Sequence, residues 1–238
     1  MNRIIIFSLM LFSAAVSAQI LYKYPKDQDY YEGGREAFFK DLQQITVNNN
    51  YKPCDKQEAL AMRFVVYPDN TVKYVADEDT KAVENNKCLK DKVLNAISQT
   101  KKWKSAEVDG KKVPAMFFAS FSDDLLFNKP NERSDFTLPV YMYKDKESDI
   151  MKFRDNFIKC FDNSYRSDNN YSFTIYFDVD THGEATFFHI DNISNLDKFN
   201  EMVIKCASNT KKSYWKPALY KGIPVKHYFK LPVTLKVN

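Results

Sequence analysis

"WKSAEVDG" (residues 103–110) and "WKPALYKG" (residues 215–222) decide the fold. They hold the chain's two tryptophans and repeat Trp, Lys, Ala and Gly at the same relative places. The first is preceded by "CLKDKVLNAISQTKK" (88–102), where Leu89, Val93, Ala96 and Ile97 fall on one stripe. The second is preceded by "LDKFNEMVIKCASNTKK" (196–212), with Phe199, Val203, Cys206 and Ala207 on the corresponding stripe. The i, i+4, i+7 spacing predicts an amphipathic helix laid on a sheet in each case. A Gly turn follows each tryptophan, "DGKK" (109–112) and "KGIP" (221–224), and then a closing apolar strand, Val113–Phe121 and Tyr228–Val237.

The likeness extends upstream. "MRFVVYPDNTVKYV" (62–75) alternates Met62, Phe64 and Val66 on one side and turns at Pro68-Asp69-Asn70. "YSFTIYFDVDTHGEATFFHI" (171–190) alternates Phe173, Ile175, Phe177 and Val179 and turns at His182-Gly183. Period-two alternation broken by Pro, Asp, Asn or Gly predicts a β-hairpin. Ahead of the hairpins, "EAFFKDL" (36–42) matches "DNFIKCF" (155–161) as a helix, with Phe38 answering Phe157 and Leu42 answering Phe161. Further upstream "YKYPK" (22–26) answers "YMYKD" (141–145). The order strand, helix, strand, strand, helix, strand therefore occurs twice. Two helices covering one face of a small antiparallel sheet make a two-layer α+β unit. The expected plan is two such units in tandem, 19–124 and 136–238, joined by the polar linker 125–135 within "SDDLLFNKPNERSD" (122–135).

The first residues, "MNRIIIFSLMLFSAAVSAQ", place Arg3 before an apolar run from Ile4 to Val16 and end in small residues. That is the form of a secretory signal peptide (1–18) cleaved after Ala18. The run is short of the roughly 20 residues a spanning helix needs, and no later stretch is apolar enough to span a bilayer. The chain is expected in the periplasm or outside the cell. The formal charge of the 238 residues is +4, too weak a bias for a dedicated nucleic-acid binder. With 19 Phe and 15 Tyr the chain has the means to bury real cores.

The residues together resemble the C-terminal domain of TonB, in the version common in Bacteroidetes. The first copy carries the resemblance in Gly33-Gly34-Arg35-Glu36-Ala37-Phe38, Phe64-Val65-Val66-Tyr67-Pro68-Asp69-Asn70, Trp103-Lys104-Ser105-Ala106 and Gly110-Lys111-Lys112-Val113-Pro114. The second keeps Trp215-Lys216-Pro217-Ala218 and Gly222-Ile223-Pro224-Val225 but has "KESDIMKF" (146–153) in place of the Gly-Gly start. The resemblance implies a non-enzymatic binding domain whose sheet edge accepts an extended segment of an outer-membrane receptor, physically a β-strand addition. An energy transducer also needs an inner-membrane anchor and a long Pro-rich spacer. Here "QILYKYPKDQDYYEGG" (19–34) runs straight into the first unit, so a free two-domain binder or chaperone-like adaptor is expected. The partner is then an envelope protein, such as a TonB-dependent receptor, and the contact residues are sought on the closing strands: Val113, Met116, Phe118 and Ser120, and Tyr228, Lys230, Val233 and Leu235. Pro232 blunts one register of the second strand, which favours the first edge unless the domains cover it.

Four cysteines fall two per unit. An even count in an exported chain invites the pairs Cys54–Cys88 and Cys160–Cys206. For the second pair the alternative is two buried thiols, since Cys206 takes the place of Ala96. No Cys-x-x-Cys spacing suggests zinc, and no metal or other cofactor is expected. "DVDTHGEATFFH" (178–189) imitates a calcium loop but ends in His189 where Glu belongs, so a hairpin turn is expected. None of the three histidines neighbours a nucleophile in a strained Gly-x-Ser-x-Gly turn, and no enzyme is expected. Lysines crowd both tryptophans (Lys101, Lys102, Lys104, Lys111, Lys112; Lys211, Lys212, Lys216, Lys221). They make either basic aromatic loops for a glycan or lipopolysaccharide, or simply soluble loops beside a core tryptophan; the second is favoured.

Overall fold

The computed structural model describes residues 20–127, 135–164, 171–191, 197–208 and 213–235. The expected leader and all but the ends of the expected linker lie outside them. The first half runs α1 (Gly34–Asn48), β1 (Ala59–Val66), β2 (Val72–Val75), α2 (Thr80–Asn85), α3 (Lys87–Gln99), β3 (Ala106–Val108), β4 (Lys111–Val113), β5 (Ala115–Ser122) and α4 (Asp123–Leu126). The second runs β6 (Phe136–Thr137), β7 (Val140–Tyr143), β8 (Lys146–Ser148), α5 (Ile150–Ser164), β9 (Tyr171–Val179), β10 (Ala185–Asp191), α6 (Asp197–Ala207), β11 (Ser213–Lys216), β12 (Ala218–Tyr220), β13 (Ile223–Val225) and β14 (His227–Leu235). The class is mixed α+β with small antiparallel sheets, as expected. The principal sheets are ordered β2-β1-β5 and β10-β9-β14, with the closing strand at an edge of each.

Alternation explains the burial. Leu60, Met62, Phe64 and Val66 of β1 point to the helices, with Phe117, Ala119 and Phe121 of β5 beside them. Leu89, Val93, Ala96 and Ile97 of α3 close over that face, so the 3.6-residue stripe meets the two-residue alternation. In the second half Phe173, Ile175, Phe177 and Val179 of β9 meet Phe199, Val203, Cys206 and Ala207 of α6 in the same way.

Both tryptophans sit inside, 5% and 6% exposed, and their surroundings match ring for ring. Trp103 lies 5.1 Å from Tyr31, 5.4 Å from Phe38 and 5.5 Å from Phe117. Trp215 lies 5.0 Å from Tyr141, 5.4 Å from Phe153 and 5.0 Å from Phe229. The stacked pairs Phe64–Phe117 and Phe177–Phe229 are each 5.1 Å apart. The tryptophan is thus the joint where the first helix and the closing strand meet, and the described lysines around it (Lys101, Lys102, Lys104, Lys111, Lys112, Lys216 and Lys221) lie outside the core.

These matches correct the expected register. Phe38 answers Phe153, not Phe157, so "EAFFKDL" aligns one helical turn earlier in α5 than the sequence pattern suggested. A one-turn shift keeps an amphipathic stripe in phase, which is why the pattern alone did not detect it. The first strand is also misplaced in one half. Tyr141 of β7 pairs with Trp215 of β11, and its counterpart is an isolated bridge between Tyr31 and Trp103. Residues 22–26 form no strand of that kind. The first closing strand starts later than expected: Val113 belongs to β4, Pro114 interrupts, and β5 begins at Ala115. Finally, Leu126 is buried in the first core with Leu125 and Phe127 against it, so 125–127 finish the first half instead of opening a linker.

Cys54 is bonded to Cys88 and Cys160 to Cys206. Closing spans of 34 and 46 residues, each bridge is worth about 4 kcal/mol on a chain-entropy basis.

The two hairpin turns touch the tryptophan segments differently. Asn70, at φ 61°, accepts the Ser105 N–H on its side-chain oxygen at 3.0 Å. Gly183, at φ 82°, lies directly on the backbone, receiving the Trp215 N–H at 3.3 Å. A Cβ at Gly183 would collide with the Trp215 carbonyl oxygen, whereas one at Gly110 (φ 72°) would meet nothing within 4 Å. Gly183→Ala is expected to cost about 3 kcal/mol, combining left-handed strain with the clash. Gly110→Ala is expected to cost about 1 kcal/mol, from strain alone. Equal losses in chemical denaturation would show that the contact is relieved at no cost.

Candidate functional site: sheet edges and the cleft between the sheets

The faces turned away from the helices meet each other. Ala59, Ala61 and Val65 on the outer face of β1 are buried, as are Tyr176 and Asp178 on the outer face of β9. Arg63, in the middle of β1, donates to the Asp178 carboxylate; their side chains are 12% and 0% exposed. Phe118 of β5 lies 6.0 Å from Tyr228 of β14. Around this contact, Lys226 holds Asp77 at 2.6 Å, Thr181 donates to Asp79, and Tyr220 and Lys221 both reach Asp124 at 2.8 Å. Ala59 packs with Ala218, Tyr220 and Val225 of the β12–β13 hairpin.

Burial raises the pKa of Asp178, against the opposing pull of the Arg63 charge. Asp79 is held below the usual carboxylate range: burial raises its pKa, but the Thr181 hydroxyl and the Ala82 N–H outweigh it. A cavity of about 350 Å³ opens beside these groups, lined by Asp77, Asp79, Asp180, His182, Arg63 and Lys226. Ligand atoms of Asp79, Asp180 and His182 lie within 4.8 Å of one another, the set best placed to hold a cation. Those atoms already have structural duties. Asp180 Oδ1 accepts the N–H groups of His182 and Glu184, making the expected hairpin turn, and Asp79 Oδ1 caps α2. With Lys226 and Arg63 alongside, the cleft reads as an electrostatic clamp between the halves.

The residues sought on the closing strands divide by face. Met116, Phe118 and Ser120 alternate with the core residues of β5, on the face turned to the second half. Tyr228 and Lys230 are their counterparts on β14, but Val233 is 2% exposed and points into the core. Leu235 ends β14, and Val113 lies on β4. Backbone direction matters more for strand addition. Leu21 donates to Pro114 O at 2.9 Å and accepts the Met116 N–H at 2.8 Å, so even-numbered residues of β5 turn their backbone groups outward. The equivalent positions of β14 are Tyr228, Lys230 and Pro232, and a proline inside an edge strand belongs on the outward side. Leu21 therefore covers the start of the first edge. Among the described residues no backbone group pairs with the corresponding edge of β14.

Sequence reasoning missed Arg63 and Asp178, and also Tyr22 and Lys23. A signal was present for Arg63, a lone charge inside a strand that is apolar on both alternating sets, "ALAMRFVV", the mark of a strand buried on both faces; Asp178 falls in the polar set of "YSFTIYFDV", with Ser172 and Thr174, and carried none. Comparison with protein-family models, with curated proteins and with solved structures gives no match.

Removing Arg63 alone leaves Asp178 buried without its cation. Arg63→Met is expected to cost about 3–5 kcal/mol near neutral pH, while Arg63→Met with Asp178→Leu recovers most of it. A carboxyl whose folded pKa is raised is favoured when protonated, so the loss in the single variant should shrink as pH falls through that pKa. Denaturant titrations of both variants between pH 7 and pH 4 check this, and a pH-independent loss would refute it.

Proposed function

We propose that this is an exported, non-enzymatic binding protein built from two tandem TonB C-terminal-like units. In this reading it receives an extended segment of an envelope protein, for example an outer-membrane receptor, by strand addition at β14. The observation that carries the reading is the outward backbone row of Tyr228, Lys230 and Thr234 at the rim of the second sheet, which no described backbone group pairs with. Such a row is a template for another strand. Pro232 removes one donor from it and so limits the registers a guest strand can take.

Two disulfides fit an oxidising compartment, and no helix among the described residues is long and apolar enough to cross a membrane. The other reading, a cell-envelope structural or glycan-binding component using the basic loops, is less well supported. Sugar stacking needs an exposed aromatic face, and both indoles lie within the cores.

Synthetic peptides copying the extended periplasmic segments of outer-membrane receptors provide the test. Lys230→Pro removes an outward N–H and should leave the fold intact, while lowering peptide affinity at least about tenfold, a difference of about 1.4 kcal/mol. Phe229→Pro removes an N–H facing β9 and should instead lower the melting temperature. Peptide binding should slow amide exchange at Tyr228, Lys230 and Thr234. Unchanged affinity in a folded Lys230→Pro protein would dismiss strand addition at this edge.

A further inference from the structure

The first edge has an occupant from the chain itself. Leu21 joins β5 as a one-residue parallel strand, bridged to Ala115. The residues after it cross to the second sheet. Tyr22 stacks on His189 at 4.5 Å, with planes 8° apart, and lies 5.5 Å from Tyr176 and 6.1 Å from Tyr228. Lys23 bonds Asp191 at 2.8 Å, donates to the Tyr176 hydroxyl and sits 4.4 Å over that ring. Burial disfavours the Lys23 charge, yet the bonds to Asp191 and Tyr176 raise its pKa overall. Apolar, aromatic and basic side chains, in that order, thus meet three matching places: a backbone edge, an aromatic shelf and a carboxylate.

The strap has a short backbone tie and an open charge contact. Its backbone is tied to β5 at one residue, and its ion pair is half open to solvent, with side chains 46% and 28% exposed. A cavity of about 260 Å³ continues beside it, between Tyr24, Tyr30, Met116 and Phe118. Beyond Leu21, the outward backbone groups of Phe118 and Ser120 have no backbone partner among the described residues. The groove is therefore longer than the segment now lying in it.

We propose that Leu21-Tyr22-Lys23 is a displaceable plug. The groove between β5 and the Tyr176–His189–Asp191 face receives, in trans, an extended partner segment running parallel to β5 and carrying an apolar–aromatic–basic triplet. The partner is argued from the fit of the present occupant: Asp191 selects the base, the shelf of His189, Tyr176 and Tyr228 selects the ring, and the free length of β5 provides backbone bonds the plug does not make. The proposal rests on the strand-addition reading but uses the other sheet, so Lys230→Pro leaves it untouched.

The probe is a peptide copying residues 19–26, QILYKYPK, offered to the purified protein and to a variant with Tyr22→Ser and Lys23→Glu, which loosens the plug without altering either sheet. The variant should bind the peptide at least about tenfold more tightly than the parent, by fluorescence anisotropy. Peptides with the tyrosine or the lysine replaced in the same way should bind about tenfold more weakly. In the unaltered protein, the Met116 amide should exchange well ahead of the ladder amides of Phe117 and Ala119, because it needs only the plug to lift. A folded variant that ignores the peptide overturns the proposal, as does a Met116 amide that exchanges only with global unfolding. A variant that dimerises in sedimentation instead of taking up peptide would make a second copy the occupant and overturn the partner assignment. Success here with no response at Lys230 and Thr234 would separate this groove from the β14 site.

Discussion

A strand covered on both faces has nowhere to put a polar side chain except against another polar side chain, and β1 and β9 are both in that position. Helices cover one face of each, and the opposing sheet covers the other along β1 and along β9 from Tyr176 to Asp178. Arg63 and Asp178 are the residues on which this geometry falls hardest, since each would be a stranded charge without the other. Their pairing fixes which strand lies over which. The surrounding contacts from Lys226, Thr181, Tyr220 and Lys221 then follow from the orientation it sets.

Rims differ in what already lies along them. β5 carries the one-residue strand at Leu21, whereas β14 carries a proline within an otherwise regular run. Both devices also guard against unwanted sheet-to-sheet association, one by filling donors and the other by removing one.

Much of the architecture was legible because it depends on local periodicity. The stripe of Leu89, Val93, Ala96 and Ile97 and the alternation from Phe173 to Val179 are buried as their spacing implied. The cysteine pairs follow from two cysteines being confined to each half. The helix register was not legible, because a shift by one turn moves Phe38 from Phe153 to Phe157 without disturbing either stripe. The bridge at Tyr31 was hidden for another reason: a single residue has no period. The strap at Leu21–Lys23 was the least accessible, because its partners lie far along the chain and nothing near it in sequence marks Tyr176, His189 or Asp191 as neighbours.

The two hairpin turns carry a last consequence. Where Asn70 reaches across to the Ser105 amide, the second half has Gly183 opposite a segment in which Pro217 stands in the place of Ser105 and offers no amide hydrogen. Asparagine needs that hydrogen, and glycine needs the bare backbone. The residues at each joint therefore work as couples, and exchanging one member between the halves would leave an orphaned group or a collision.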